Sequence, residues 1–212
     1  MLNRTKYFRK LCLSGCFFVG MISLSSSANA QFIGINVDYA IDYSAAPGKV
    51  SGYSVGIAHP APFIPNIGYS SVSFEDKETI TDSSIPNNKV SLATTTTIKT
   101  INFFYNVPFP VVTITLGIGH GADNLNTGVE TITTIKENDV GKDNSESKDS
   151  VSEAFFHIGL PFWNTVEFHL GYHFMSFSSI DITKSDKFQG KYPTVKKSYS
   201  GGMTTIGVQV AF

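Results

Sequence analysis

The C-terminal segment of the chain alternates between apolar and small or polar residues, and this pattern constrains the fold most strongly. Ile206, Val208, Val210 and Phe212 are apolar, whereas every residue between them is small or polar. Because successive side chains of a β-strand point to opposite faces, the period of two predicts a strand with one apolar face. The sequence ends on an aromatic residue, which suits the interfacial girdle of a membrane β-barrel better than the edge of a soluble domain.

Similar alternation recurs along the chain. In residues 33–43, six apolar side chains alternate with small or polar ones over roughly the 11 residues that a tilted membrane strand needs. Segments near residues 67–74 and 92–105 alternate less clearly, and counting them brings the total to about eight strands. The predicted outward positions in the clearer strands are Ile33, Ile35, Val37, Tyr39, Ile41, Tyr43, Tyr53, Val55, Ile57, Val112, Ile114, Leu116, Ile118, Ala154, Phe156, Ile158, Leu160, Val166, Phe168, Leu170 and Tyr172.

Pro-Phe steps separate successive predicted strands at Pro62-Phe63, Pro108-Phe109 and Pro161-Phe162. Their spacings of 46 and 53 residues indicate a repeating unit of strand, variable polar loop, strand and short turn. Proline suits the turns because it donates no hydrogen bond to a strand ladder. We expect the aromatic residues of these turns to form a belt at one membrane face: Phe63, Phe109, Phe162 and Trp163.

A long polar insert follows each Pro-Phe turn, at residues 75–89, 121–150 and 181–197. Short turns at one end and long hydrophilic loops at the other are typical of outer-membrane barrels. Threonine-rich arms at residues 94–97 and 131–134 have high β propensity and little hydrophobicity. We predict that they extend the strands beyond the bilayer as an extracellular ribbon, with disorder as the alternative for a charged run without a core.

These features together predict an all-β fold: a closed antiparallel up-and-down transmembrane β-barrel with short periplasmic turns and long extracellular loops. The architecture resembles the small OmpA-type and OmpX-type barrels over essentially the whole mature chain. The last strand resembles the closing strand of Gram-negative outer-membrane proteins, whose terminal Phe is read by the barrel-assembly machinery. This resemblance implies that Ile206, Val208, Val210 and Phe212 form an assembly signal.

Residues 1–30 have the features of an export signal. Four basic residues without an acid precede an apolar run, and Ala28-Asn29-Ala30 supplies a small-x-small cleavage site. We expect cleavage after Ala30, which leaves residues 31–212 as one outer-membrane barrel domain. A competing motif, Leu13-Ser14-Gly15-Cys16, matches the site at which bacterial lipoproteins are cut and acylated, but only a short apolar stretch precedes its cysteine.

The mature composition argues against several classes of function. Both cysteines, Cys12 and Cys16, fall in the leader, so residues 31–212 contain no disulfide and no thiolate metal site. The leader takes four of the 16 Lys and Arg residues, which leaves 12 against 17 Asp and Glu, a net charge of −5. This balance gives no indication of nucleic-acid binding.

The polar strand faces place ionisable side chains in the predicted lumen, which eight strands make just wide enough for side chains to fill. We therefore expect no open pore. With a three-residue turn at residues 162–164, His157 pairs with His169, and Glu153 pairs with His173. The predicted inward ionisable residues are Asp38, Asp42, Glu153, His157, Glu167, His169 and His173.

We interpret this set as a structural polar network in which each buried charge has a partner. Such a cluster is also able to bind a transition metal or to carry out acid–base chemistry. Motifs for a serine nucleophile, a zinc protease or a phosphate loop are missing from the sequence. We accordingly predict no catalytic residue, no metal and no cofactor.

The leading functional prediction is a non-enzymatic outer-membrane barrel that presents surface loops to lipopolysaccharide, host molecules or neighbouring proteins. One alternative is a narrow channel for small or apolar solutes. Another is a lipid-A-modifying enzyme that uses Glu167, His169 and His173. A soluble exported β-sandwich or lipocalin-like barrel, with its apolar face packed inward, is the alternative fold.

Overall fold

A computed structural model describes residues 33–61, 63–81, 89–137, 141–163, 165–183 and 193–212. The predicted leader, its cleavage site after Ala30, the alternative site at Cys16, Pro62 of the first turn and Asn164 of the predicted three-residue turn lie outside these residues. Within them, no helix is long and apolar enough to cross a membrane.

The described residues form an all-β structure with a single short 3-10 turn at Asp123–Leu125. The strands are β1 (Gly34–Tyr43), β2 (Val50–Ala58), β3 (Asn66–Ile80), β4 (Val90–Pro108), β5 (Thr113–Gly121), β6 (Gly128–Glu137), β7 (Gly141–Asp149), β8 (Val151–Trp163), β9 (Val166–Ser176), β10 (Ile180–Asp181), β11 (Lys196–Lys197) and β12 (Gly201–Ala211).

Ten of these strands form one sheet, in the order β3-β2-β1-β12-β9-β8-β5-β4-β6-β7, and β3 also pairs with β4. The β3–β4 pairing closes a ring of eight strands, because β6 and β7 continue from β4 beyond the ring. Each neighbouring pair in the ring is antiparallel. The predicted closed antiparallel barrel of about eight strands is confirmed.

The threonine-rich arms form a ribbon above the barrel, built from the upper halves of β3 and β4 together with β6 and β7. Thr94 lies opposite Thr133, and Thr96 lies opposite Thr131. The hydroxyl groups of Thr94 and Thr133 are 3.0 Å apart. The ribbon has a small apolar core that the sequence analysis did not predict, formed by Val90, Leu92, Ile135 and Ile182. Residues 182 and 195 come from the β10–β11 segment, which covers this face.

The outside of the barrel is apolar on every one of its eight strands. The exposed large apolar side chains include Ile35, Val37, Tyr39, Ile41, Tyr53, Val55, Ile57, Ile67, Phe103, Tyr105, Val107, Leu116, Ile118, Phe156, Ile158, Leu160, Phe168, Leu170, Phe174 and Ile206. Phe63, Phe109, Phe162, Trp163 and Phe212 are exposed at the short-turn end. The predicted outward faces are thus observed except at the end of β1, and the apolar face does not form the core that the soluble alternative requires.

Two inward or outward assignments at the end of β1 are wrong. Asp42 is exposed, although it was predicted to face the lumen, and Tyr43 is buried, although it was predicted to face outward. The pairing between β1 and β12 shifts between Ala40 and Asp42. A β-bulge of this kind adds one residue to a strand and exchanges the faces of the side chains that follow it.

The lumen contains two layers. The layer towards the short turns is polar, with Asn36, Asp38, Asn102, His157 and His169 among its buried side chains. The layer towards the long loops is apolar and consists of Ala40, Tyr43, Val72, Phe74, Ile98, Val129, Val151, Met175, Ile180, Tyr199 and Met203. The two layers meet on β4, where Ile98 and Thr100 are successive inward residues.

Candidate functional site in the barrel lumen

The ionisable lumen residues lie on three strands of the barrel, β1, β8 and β9. Strands β8 and β9 are neighbours, and β12 separates β9 from β1. Asp38 lies on β1, Glu153 and His157 lie on β8, and Glu167, His169 and His173 lie on β9. Five of these side chains are buried, and Glu167 is partly buried at the short-turn end. The strand period of two therefore placed all six on the predicted lumen face.

Glycine residues on adjacent strands leave the space that these side chains occupy. Gly207 of β12 lies between Asp38 of β1 and His169 of β9 in one row of the sheet. A Cβ atom at Gly207 would lie 2.1 Å from Oδ1 of Asp38 and 2.6 Å from a backbone oxygen. Gly171 lies opposite His157, where a Cβ atom would lie 2.6 Å from the imidazole ring. The site thus depends on glycine where large side chains from adjacent strands converge.

The upper part of the site is a chain of hydrogen bonds that ends at His157. Nε2 of His157 is 3.1 Å from Nε2 of His173, and Nδ1 of His173 is 2.5 Å from Oε1 of Glu153. The Thr100 hydroxyl donates to Oε2 of Glu153. Phe155 stacks on the His173 ring with centroids 4.9 Å apart, which fixes the ring plane. Each imidazole in this chain therefore has a defined orientation.

The lower part of the site centres on His169. Nδ1 of His169 is 3.6 Å from Oδ1 of Asp38, and Nε2 of the same ring is 3.7 Å from Oε1 of Glu167. The Thr113 hydroxyl donates to Oε2 of Glu167 at 2.5 Å. Asp38 is also 4.0 Å from Nδ1 of His157, so this carboxylate lies between the two rings.

The predicted pairing register between β8 and β9 is wrong by two residues. His157 lies opposite Gly171, His173 lies opposite Phe155, and Glu153 lies opposite Met175. The strand faces predicted an odd number of residues between the two strands, but β8 ends at Trp163 and β9 begins at Val166. A register shift between Pro161 and Trp163 supplies the additional residue. Diagonal contacts still connect His173 to Glu153 and to His157, so the side chains meet although their backbones are not opposite.

Several polar atoms in the middle of the site have no hydrogen-bond partner among the described residues. They are both carboxylate oxygens of Asp38, Nδ1 of His157 and both ring nitrogens of His169. One donor atom from each of these three residues lies within 4.8 Å of the other two. Two imidazoles and one carboxylate form a set that suits zinc, iron, nickel or copper better than magnesium or calcium.

The sequence analysis missed part of the site. It did not identify Thr100 and Thr113 as partners of the carboxylates, and it assigned no role to Gly207. The available signal was the inward face of each strand, where threonine, asparagine and glycine recur in place of apolar residues. Their pairing across the lumen depends on register and barrel closure, which a single sequence does not give.

The chain matches no protein-family model and no curated protein sequence. It is similar in structure to Neisserial surface protein A, with 14% identity, 85% of this chain and 96% of that chain covered, and a TM-score of 0.44. The corresponding values are 10%, 85%, 96% and 0.40 for the N-terminal β-barrel domain of Pseudomonas aeruginosa OprF. For Ail, the attachment invasion locus protein of Yersinia pestis, they are 9%, 85%, 96% and 0.40. The fold of this chain is established by its own strand pairing.

Proposed function

We propose that this chain is an integral outer-membrane protein of a Gram-negative bacterium. Its closed barrel would serve as a rigid, non-enzymatic anchor for a surface ribbon and loops that contact lipopolysaccharide, host molecules or neighbouring proteins. The observation that carries the proposal is the continuous apolar exterior of a barrel whose interior holds the ionisable groups. In water such an exterior would expose large apolar side chains on all eight strands, whereas in a bilayer it faces hydrocarbon.

The aromatic residues at the short-turn end support the orientation. Phe63 and Trp163 are among the most exposed side chains of the barrel, at 91% and 69%. Aromatic rings collect at the boundary between hydrocarbon and head groups, and the short turns of such barrels lie on the periplasmic side. We therefore assign this end to the periplasmic interface. The opposite end then carries the ribbon to the cell surface.

The apolar layer favours an anchor over a channel. Tyr43, Phe74 and Tyr199 come from β1, β3 and the segment before β12, and their rings meet with centroid separations of 5.5 and 5.2 Å. The Tyr43 hydroxyl donates to the carbonyl oxygen of Tyr199. Aromatic rings from different sides of the wall thus pack across the lumen, and an eight-stranded ring leaves little space beyond its own side chains.

The ribbon is attached to the barrel by specific contacts rather than projecting as a free hairpin. The Tyr199 hydroxyl donates to Oδ2 of Asp76 at 3.0 Å, and Nζ of Lys197 lies 2.7 Å from Glu78 and 3.3 Å from Asp76. A rigid surface that holds its shape without a partner loses less conformational entropy on binding. This supports a role in surface recognition.

Cell fractionation tests the membrane location. We expect the full chain in purified outer membranes, with heat-modifiable mobility on gels. Protease added to intact cells should cut the ribbon turn between β6 and β7 and leave the barrel strands protected. Recovery of the chain as a detergent-independent soluble species in the periplasm would contradict the proposal.

Two further measurements separate the proposed anchor from its alternatives. A filled barrel should give no steady single-channel steps in planar bilayers, whereas a channel should give them. Unchanged lipid A mass spectra on overexpression are expected for a non-enzymatic barrel. Modified lipid A that disappears in a His169→Ala variant would support the lipid-modifying alternative instead.

A further inference from the structure

The lumen site has a carboxylate that lacks an adequate partner. The Asp38 side chain is 0% exposed, and both of its oxygens lack hydrogen-bond partners among the described residues. Its ion-pair contacts are with His157 and His169, at 4.0 and 3.6 Å, which are too long for hydrogen bonds. A buried carboxylate is costly unless it is paired, hydrogen-bonded or bound to a metal.

The two histidines have the same deficiency on the side that faces Asp38. Nδ1 of His157 and Nδ1 of His169 are both buried without a partner in the described part of the chain. The opposite nitrogen of His157 faces Nε2 of His173, which in turn contacts Glu153 through Nδ1. The opposite nitrogen of His169 faces the Glu167 carboxylate at 3.7 Å, beyond hydrogen-bond distance.

This arrangement has the form of a metal site with its supporting groups. A histidine that binds a metal through one nitrogen usually directs its other N–H to a carboxylate, a carbonyl or water, which fixes the tautomer and the ring plane. In this lumen the His157 N–H would donate to Nε2 of His173, and the N–H of Nδ1 in His173 would donate to Glu153. Nε2 of His169 faces Oε1 of Glu167 at 3.7 Å, so the outer side of this ring lies towards a carboxylate while Nδ1 faces Asp38.

We propose that Asp38, His157 and His169 bind one divalent transition-metal ion of the zinc class, through a carboxylate oxygen and the two Nδ1 atoms. One donor atom of each residue lies within 4.8 Å of the other two, and the two Nδ1 atoms lie 4.0 and 3.6 Å from Oδ1 of Asp38. Ligand atoms of a tetrahedral zinc site are about 3.3 Å apart. Side-chain movements of about 1 Å would bring the three donor atoms to tetrahedral ligand distances, with a fourth coordination position left for water. The ion would also offset the charge of a carboxylate whose ion-pair partners among the described residues are two histidines.

The site is built into the wall rather than onto a loop. Asp38, Gly207 and His169 form one row across β1, β12 and β9, and His157 lies on β8. The metal would therefore connect β1 to β8 and β9 across β12, where the first and last strands of the barrel meet. A bound ion would therefore stabilise the closed ring over the open chain, because it binds the folded state and not the unfolded one.

Metal content of the refolded protein tests the proposal directly. Residues 31–212 without a histidine tag are refolded in detergent with Zn²⁺, freed of unbound metal by gel filtration and assayed by plasma mass spectrometry. We expect about one zinc per folded chain, and at least a tenfold lower content in Asp38→Asn and in His169→Gln. His120→Ala is the matched control, because His120 is exposed on the outer face of β5, and its zinc content should equal that of the native chain.

Folding of each variant is checked by heat-modifiable mobility, and Asp38→Asn preserves side-chain volume in case His169→Gln does not fold. With Co²⁺ in place of zinc, X-ray absorption should report two imidazole ligands. Mg²⁺ alone should not bind, since it prefers oxygen ligands. A native chain that retains less than a tenth of an equivalent of zinc, or variants that retain as much as the native chain, would overturn the proposal.

The hydrogen bonds that connect His157 through His173 to Glu153 can be tested separately through the zinc affinity. Glu153→Gln should still bind one zinc at saturation, with an affinity about 10-fold to 100-fold weaker, as expected when an outer partner of a ligating histidine is altered. An unchanged affinity in this variant would contradict the assignment of His157 as a ligand through Nδ1. None of these measurements depends on the location of the chain in the cell, so this inference and the proposed function fail independently.

Discussion

The two layers of the lumen are held together in different ways, although they occupy the same cylinder. In the polar layer several side chains have specific partners, as in the contact of His173 with Glu153 and the donation of a hydrogen bond by Thr100 to the same carboxylate. In the apolar layer Val72, Phe74 and Met203 contribute by filling volume. The polar layer should therefore respond to chemical identity, and the apolar layer to size.

The largest expected effect comes from removing volume in the apolar layer. Phe74 is 2% exposed and packs against the rings of Tyr43 and Tyr199. Phe74→Ala should lower the free energy of unfolding by about 3–5 kcal/mol, because it deletes buried contacts and leaves a cavity. The measurement is guanidinium unfolding of the chain in lipid vesicles.

Phe74→Leu is the matched control for that prediction, since it keeps most of the volume and should cost about 1 kcal/mol. An equal loss for the two variants would show that ring-specific contacts, rather than volume, hold this layer together. The contrast with the polar layer would then be wrong.

The exterior shows a similar division, because the barrel wall is apolar and the ribbon wall is polar. Leu170 is 56% exposed in the middle of β9, among outward residues assigned to the bilayer. Leu170→Arg should cost about 2–4 kcal/mol in vesicles, as arginine does near the midplane of membrane barrels. The same change at Thr95, exposed on the ribbon part of β4, should cost less than about 0.5 kcal/mol.

Comparable losses at Leu170 and Thr95 would count against the assignment of the apolar band to the bilayer. Near-zero losses at both positions would do the same. Unfolding in detergent micelles provides a second reading, because a micelle adapts its shape to a charge more readily than a bilayer does.

The boundary between the layers allows an isosteric test with a smaller expected effect. Val72 lies opposite Ile98, and the next inward position on β4 is Thr100. Thr100→Val removes a hydrogen bond to the Glu153 carboxylate and should cost about 1.5–3 kcal/mol. Val72→Thr places a hydroxyl group in the apolar layer and should cost about 1–3 kcal/mol.

Because each of these substitutions keeps the shape of the side chain, a loss in both directions would locate the boundary between residues 98 and 100. An unchanged free energy of unfolding for either variant would show that there is no sharp boundary between the polar and apolar layers at these residues. Urea or guanidinium unfolding with a matched lipid composition gives both values on one scale.

Strand faces were predicted from the sequence far better than contacts between side chains, because faces depend on the strand period and contacts depend on the pairing register. Outward positions such as Ile35 and Leu116 follow from the period of two, since a register error of two residues leaves the faces of a strand unchanged. The partners of His157 depend on turn length and on the irregularity near Trp163, and one extra residue there changes every pair. Tyr43 was misassigned for a similar reason, because the β1 bulge has no signal in residue type.

The ribbon core illustrates a second limit of the sequence. Leu92 was assigned to a weakly alternating strand over residues 92–105, and Val90 was assigned to no strand. The buried side of both residues depends on Ile182 and Val195 from a distant segment. Local patterning cannot reveal such a cover, because the β10–β11 segment is too short to show a period of its own. The role of Gly207 could not be predicted from the sequence either, because it depends on strand pairing that places Asp38 and His169 on either side of this glycine.

The smallest expected effect concerns the contacts that fasten the ribbon, where exposure to water weakens ion pairs. The hydrogen bond from Lys197 to Glu78 raises the pKa of Lys197 above its ordinary value, with Asp76 acting in the same direction. A raised folded-state pKa stabilises the protein fully below the unfolded pKa of about 10.4, and this contribution is lost as the pH rises through the folded value. Lys197→Met should lower the free energy of unfolding by about 0.5 kcal/mol at neutral pH, as for other partly exposed pairs. The test compares the free energy of unfolding of the native chain and the Lys197→Met variant across pH. Burial raises the pKa of Tyr199 as well, so both chains lose stability at high pH, and only the difference in free energy between them reports on Lys197.

This difference should shrink towards zero above about pH 11. A difference that stays constant from neutral to alkaline pH would mean that Lys197 contributes packing rather than charge.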